Sequence, residues 1–464
     1  MLEVLEQFIS QANTILWSYV LIILLIGAGL YFTFKNKFIQ FKGFREMIRL
    51  LTESAGSTKD GVSSFQAFCM STASRVGTGN LAGVAIAVVA GGPGAVFWMW
   101  VIALLGSASA FVESTLAQIY KERHIDSFRG GPAYYIEKAL KNRSLGVVFS
   151  VFITVSFGFI FNSVQANTIS MAFSRSFSID PLYIGLALFV MAALVIFGGV
   201  RRIASVTEKI VPIMAILYIL VVIYVMIANF SELPKVFALI IENAFGIKEV
   251  AGGAIGATLM NGIKRGLFSN EAGMGSAPNA AAAADVTHPV KQGLIQTLGV
   301  FTDTLLICSA TAFLILSSGE YTNGELDGIQ LTQKALESQV GDWGGIFVAV
   351  CIFLFAFSSI IGNYYYGESN IEFIKDDSKM VFFYRVFVLS MIVFGSVAKV
   401  SLVWDMADFF MGLMAIINLY AIIRLSPIAK RALLDYYKQK SAGKDPKFKA
   451  SDIGLDEGVE CWKD

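Results

Sequence analysis

The residues able to do chemistry lie where the apolar segments of this chain are interrupted. RVGTGNLAG, Arg75 to Gly83, sits in a run long enough to cross a membrane, yet it carries Gly77, Gly79 and Asn80 at its middle. Glycine weakens helices, and in lipid a bare backbone amide has no water partner. A break at that depth ends one half-helix in carbonyls that suit a cation. It starts the next with amides and a positive dipole end that suit a carboxylate. One break therefore supplies both poles of a site for an anionic group and a sodium ion. The pattern returns at RGLFSNEAG, where Arg75, Asn80, Ala82 and Gly83 recur as Arg265, Asn270, Ala272 and Gly273.

Other polar residues lie at membrane depth. Asn162 and Gln165 share a helical face, with Asn167 close by, and suit either interhelical hydrogen bonding or the lining of a substrate pocket. Ser358, Ser359 and Asn363 offer hard oxygen atoms of the kind sodium takes. Phe268, Ser269 and Asn270 form the second break, and Phe268 suits either the cap of a small pocket or core packing. Glu271 and Asp303 are expected to pair with Arg75, Lys264 or Arg265 rather than to bind sodium directly. Glu113, Glu208 and Asp405 fall nearer to helix ends and need no special role. The alanine run in Asn279–Asp285 reads as close helix packing.

The elements that must hold these residues follow from composition. The chain has 464 residues, 55% hydrophobic and only 15% charged, where a soluble protein carries about 25% charge. It is expected to be an all-α polytopic membrane protein of about eleven spans: 15–34, 64–90, 93–120, 145–173, 181–200, 204–229, 252–284, 290–318, 344–372, 380–399 and 402–425. Connectors assigned alternately to the two sides hold 28 Lys and Arg on one side and 5 on the other. That bias places the N-terminus outside and the C-terminus in the cytoplasm of a plasma-membrane protein. MLEVLEQFIS has acids and no Lys or Arg, unlike a signal peptide. A net charge of +1 gives no reason to expect nucleic acid as a partner. Two distant histidines and four scattered cysteines give neither a metal cluster nor a disulfide scaffold. No nucleophile elbow is present, and the chain reads as no enzyme, with no obligate protein partner.

The first span stands apart, as residues 1–34, followed by a connector, 35–63. The other ten divide into two sets of five, 64–229 and 252–425, joined by 230–251, and each set opens with a broken span. Five is odd, so the second set runs inverted, the plan of many secondary transporters. Segments near 131–140, 234–247 and 328–340 read as short surface helices. The tail, 426–464, reads as an amphipathic, basic helix followed by a solvated end.

Four motifs carry a resemblance. GGPGAVFWMWVIALLG, Gly91 to Gly106, is similar throughout to the signature of the alanine or glycine:cation symporters, and GTGNLAGVA, GGPAYYIE and FSNEAGMGSAPNAAAAA also resemble that family. The resemblance covers about residues 60–425. It implies a LeuT-type fold, five plus five helices in inverted topology, and sodium-coupled uptake of alanine or glycine with no cofactor. Within it, VGTGN resembles the break of the neurotransmitter:sodium symporters. Carried over, that points to Thr78 and Gly79 for the substrate carboxylate and Asn80 for an ion. It also points to the Ala73 and Val76 carbonyls, with Ser358 and Ser359 of the eighth repeat helix, for a second ion. Arg75 departs from that pattern, since a nearby positive charge opposes sodium. The residues alone say only a small zwitterion or carboxylate with a cation, and an ion channel is the rival class.

Overall fold

A computed structural model describes residues 2–53, 61–124, 127–246, 252–324, 326–455 and 457–463. The connectors at 54–60 and 247–251 lie outside the described residues. Apolar composition without turn signals makes the spans helical, because in lipid only an internally bonded backbone is tolerated. Among the described residues, eight helices are long and apolar enough to span: α1 (Glu6–Lys35), α4 (Ala95–Ile119), α5 (Arg143–Phe177), α7 (Gly199–Ala228), α10 (Pro289–Ser318), α11 (Trp343–Ile374), α12 (Ser378–Val397) and α13 (Val400–Ser441). A ninth span is a bent pair, α2 (Ser64–Arg75) and α3 (Gly79–Gly91), whose axes differ by 49°. The shorter α6 is Pro181–Ile196. The segment that opens the second set of five is also divided, into α8 (Gly252–Asn270) and α9 (Ala277–Ala283).

Two layers organise these helices. α8, α9 and α10 pack on α4, while α5 packs on both α11 and α12, and α6 on α12. α2 lies between the layers, against α7 and α11. The central windows of α10 and α11 are 78% and 72% buried, against 28% for α7 and 33% for α1, so the latter two form the lipid-facing rim. The start of α2 is fixed by a capping box in which Ser63 Oγ accepts from Gln66 N and the Gln66 side chain accepts from Ser63 N. Short helices form at Pro132–Leu140, Leu233–Ala244 and Gly328–Val340, near the predicted positions, but the first and third are not surface helices: Pro132 to Ile136, and Leu331, Thr332, Ala335 and Leu336, are buried.

The tail differs from expectation. α13 continues without interruption through Pro427 to Ser441, and the residues after it fold back rather than remain solvated. Phe448 N donates to Thr287 O at 2.9 Å, and Trp462 Nε1 donates to Gln118 O at 2.8 Å. Phe448 and Trp462 pack edge to face with centroids 5.4 Å apart. With Ile453 and Val459, also buried, these two aromatic anchors hold the polar segment down.

Candidate functional site

The two interruptions meet at the centre of the molecule. In the first, α2 ends at Arg75 and Val76 leaves helical geometry with ψ 88°. The amides that follow are met by side chains. Gly77 N donates to Asn80 Oδ1 and Thr78 N to Gln165 Oε1 of α5, each at 2.9 Å. On the carbonyl side, Ser359 Oγ of α11 lies 2.7 Å from Ala73 O, 3.4 Å from Val76 O and 3.0 Å from Phe355 O. A hydroxyl has one proton, so it satisfies one of the three at a time. Three carbonyls and a hydroxyl thus converge, a donor set made only of the neutral oxygens a hard cation takes. Gly77 has to be glycine here, because an added Cβ would fall on Ser359 Oγ and 2.8 Å from Gln165 Oε1.

Asp303 of α10 ties the second break to the first. Its Oδ1 accepts from Asn80 Nδ2 at 2.6 Å, and its Oδ2 from Ser269 Oγ and Thr304 Oγ1 at 2.7 Å each. Phe268 is buried between Phe161 and Trp404, with ring centroids 4.7 and 4.6 Å away. Gly79 packs against this same region: a Cβ on it would lie 3.0 Å from Phe268 Cδ1 and 3.1 Å from Ser269 Cα. Phe268, Ser269 and Asn270 do not themselves form the second break: they are the last residues of α8, and the interruption is 271–276. Asn270 Oδ1 accepts from Ala272 N at 3.0 Å. Glu271 has φ 57°, a left-handed backbone that costs a non-glycine residue about 1–2 kcal/mol. Its carboxylate accepts from Ser74 Oγ at 2.7 Å and Ser276 Oγ at 2.6 Å, joining the ends of the two broken spans.

Several expectations are corrected. Glu271 and Asp303 make no ion pair among the described residues; hydroxyl and amide donors serve them instead. Lys264 and Arg265 pair with Asp408 of α13, Lys264 at 3.0 Å, and the Arg265 guanidinium lies 4.6 Å over the Trp404 ring. Arg75 donates through Nη1 to Gln296 O at 3.3 Å, while its Nε and Nη2 have no partner among the described residues. Glu113 is not an incidental acid near a helix end. It is fully buried on α4, accepting from Gly273 N and Gly275 N at 3.1 Å each and from Asn418 Nδ2 at 2.7 Å.

The polar cluster on α5 separates by role. Gln165 alone reaches the first break. Asn167 Nδ2 donates to Gly395 O and Ala398 O at 2.9 Å, which is interhelical bonding to the end of α12. Asn162 Nδ2 donates to Gly158 O one turn earlier, and its Oδ1 is buried without a partner among the described residues. Ser358 and Ser359 face different neighbours, with Ser358 Oγ 2.8 Å from Phe355 O and 3.6 Å from Met214 Sδ of α7. Ser74 Oγ lies 2.7 Å from Asn363 Oδ1. Above Trp404, a cavity of about 570 Å³ opens among Lys264, Arg265, Asp405 and Asp408.

Glu113, Phe355, Asp408 and Asn418 were missed by reasoning on sequence. For Glu113 a signal existed: it is the one charged residue in the 25 of α4, and an acid at that depth is a functional hypothesis by default.

Residues 2–450 match the sodium:alanine symporter family. The chain is 57% identical over 463 residues to the probable sodium/glutamine symporter GlnT of Bacillus subtilis, covering 100% of this chain and 97% of that protein. It is 54% identical to the amino-acid carrier protein AlsT of the same organism, covering 99% and 98%. The sodium/alanine symporter AgcS of Methanococcus maripaludis is 37% identical, with 91% and 95% covered. Among solved structures, MhsT in complex with L-phenylalanine aligns with a TM-score of 0.59 at 15% identity, covering 86% of this chain and 92% of that one. The fold is therefore of the LeuT type, with an additional N-terminal helix, and the chain belongs to the sodium:alanine symporter family.

Proposed function

We propose that this member of the family couples the inward movement of sodium to that of a small neutral amino acid by alternating access, with its N-terminus outside and its C-terminus in the cytoplasm. The substrate carboxylate is received by the amides of Thr78 and Gly79, displacing the Gln165 side chain. Asn80 and the residues that end α8, Phe268, Ser269 and Asn270, bound the site from the other side. Sodium lies between the Ala73, Val76 and Phe355 carbonyls and the Ser359 hydroxyl, with Ser358 one position away. The observation that carries this reading is the convergence of the Ala73 and Val76 carbonyls on Ser359 Oγ across the gap between α2 and α11, where that hydroxyl also faces Phe355 O one turn back on its own helix. An ion there ties the broken helix to the scaffold, so sodium and substrate favour the same closed state and bind cooperatively. Asp303 with Asn80 is the alternative ion ligand.

Alanine or glycine is the first reading for the substrate. Glutamine is the second, favoured by the identity to GlnT and by Asn162 Oδ1. That oxygen is buried and unpartnered three residues before Gln165, where it could accept from a carboxamide. The test is uptake of labelled alanine, glycine and glutamine by proteoliposomes under an inward sodium gradient. Sodium-driven accumulation of one of them, with leucine far weaker, is expected. Uptake driven equally by potassium or protons, with nothing added by sodium, would sink the coupling assignment.

A further inference from the structure

The second break presents two amides to one side chain. Gly273 and Gly275 both have left-handed backbones, φ 87° and 85°, and their N–H groups converge on the two carboxylate oxygens of Glu113, at 3.1 Å each. The amide between them, Met274 N, donates instead to Glu271 O at 3.3 Å, so two alternate amides turned inward make a concavity that suits an anion. Asn418 closes the third side. Its Nδ2 donates to Glu113 Oε2 at 2.7 Å and to Gly273 O at 2.9 Å, while its Oδ1 accepts from Tyr135 Oη. All three partners of Glu113 are donors, which suits a carboxylate without a proton. Among the described residues no cation lies within ion-pair distance of it.

The first break is met differently. There the facing acceptor on Thr78 N is the neutral amide oxygen of Gln165. Hydrogen bonds to an ionised acceptor are roughly twice as strong as those to a neutral one. An incoming carboxylate displaces a glutamine side chain far more readily than a resident glutamate, and a second negative charge beside Glu113 is repelled.

We propose that Glu113 is a positioning residue: a built-in carboxylate that occupies the anion site of the second break, leaving the substrate carboxylate only the first. This inference rests on the reading of the first break as the substrate site. It assigns Glu113 a role in selecting between two exposed-amide sites, one in each break, beyond holding the helices together. A chain lacking that carboxylate is left with two unpaired buried amides, and a small free anion replaces it.

The test uses the full chain in proteoliposomes, with wild type, Glu113→Ala and Glu113→Asp assayed for sodium-driven uptake in chloride, formate or gluconate as the sole anion. Wild-type uptake is expected to be indifferent to the anion. Glu113→Ala should lose at least about tenfold in gluconate, the scale of leaving buried donors unpaired. It should recover several-fold in formate, while Glu113→Asp keeps part of the activity in every anion. Wild-type uptake by Glu113→Ala in gluconate would overturn the proposal. So would failure of formate to rescue a variant that still binds labelled substrate. Where Glu113→Ala does not assemble, as read by size-exclusion chromatography, Glu113→Gln keeps the volume but turns one acceptor into a donor. It must lower uptake by a similar factor, and normal uptake contradicts the proposal. Gln165→Ala assayed in parallel separates the two claims: unchanged substrate affinity in that variant removes the first-break reading whatever Glu113 does.

Discussion

The two breaks share a motif but are closed by different chemistry. Arg-x4-Asn-x-Ala-Gly marks both, but the helix is interrupted before the asparagine at 76–78 in the first and after it at 271–276 in the second. In both the asparagine bonds a nearby backbone amide, Gly77 N for Asn80 and Ala272 N for Asn270. The first break is then finished by neutral, single-point partners from the scaffold, Gln165 and Ser359. The second is finished by the carboxyl group of Glu113 from α4 and holds three consecutive odd-numbered residues, Glu271, Gly273 and Gly275, in left-handed backbone. An inverted repeat thus places two interruptions together, and the type of acceptor facing each decides which one exchanges partners. A neutral amide yields to a ligand; a resident carboxylate does not.

That contrast can be broken most severely by making the first break resemble the second. Gln165→Glu puts a carboxylate against Thr78 N. Two like charges about 4 Å apart at an effective dielectric near 20 repel by about 4 kcal/mol, roughly a thousandfold in affinity. Labelled substrate binding should fall to background while the protein remains monodisperse; near-normal affinity would move the carboxylate site away from this break. A somewhat smaller loss is expected from Gly77→Ala, whose methyl collides with Ser359 and Gln165. Sodium-driven uptake should drop at least about tenfold, in line with a core overpacking cost of about 1–3 kcal/mol. Gly79→Leu should also abolish binding, here because its side chain drives Phe268 and Ser269 away from the first break; retained binding would show that the two breaks need not touch.

Ser359→Ala sharpens the ion half of the comparison. It removes the one hydroxyl that faces both Ala73 O and Val76 O, so half-maximal uptake should require about ten times more sodium, the scale of one lost polar ligand. Ser358→Ala should shift that midpoint much less, since its hydroxyl faces Phe355 O and Met214. Equal shifts for the two would contradict the placement of the ion.

The smallest effect concerns the far end of α9. Lys121 Nζ donates to Ala284 O at 2.8 Å, and burial holds its pKa down to about 8, against about 10.4 for a free lysine. Below pH 8 the folded chain carries the full cost of a buried ammonium. Between about pH 8 and 10.4 the unfolded chain binds the more protons, so stability rises with pH in that window. The melting temperature of the wild type relative to Lys121→Met should therefore climb from pH 8 to pH 10. A flat difference would mean that this lysine is not desolvated.

Much of this comparison is legible in the sequence, because glycines within apolar runs are conspicuous and their repetition marks both breaks. The span order and the helices Leu233–Ala244 and Gly328–Val340 follow from hydropathy and amphipathic spacing for the same reason. Side-chain direction is not legible. Adjacent residues on a helix point about 100° apart, so Ser358 and Ser359 cannot be told apart without knowing which face of α11 meets α2. Partners drawn from distant helices are equally hidden: Glu113 and Gly273 are 160 residues apart, and Asp408 reaches Arg265 only once α13 lies beside α8. The folded tail escaped notice because its composition is that of a solvated segment, and the few apolar residues that hold it, Phe448, Ile453, Val459 and Trp462, are scattered.

The most direct measurement is a structure determined with sodium and the transported amino acid bound. The account predicts the substrate carboxylate within hydrogen-bond distance of the amides of Thr78 and Gly79, Gln165 turned away from Thr78 N, and Glu113 still seated on Gly273 and Gly275. A substrate carboxylate found at the second break, or Gln165 unmoved beside a ligand bound elsewhere, would contradict it.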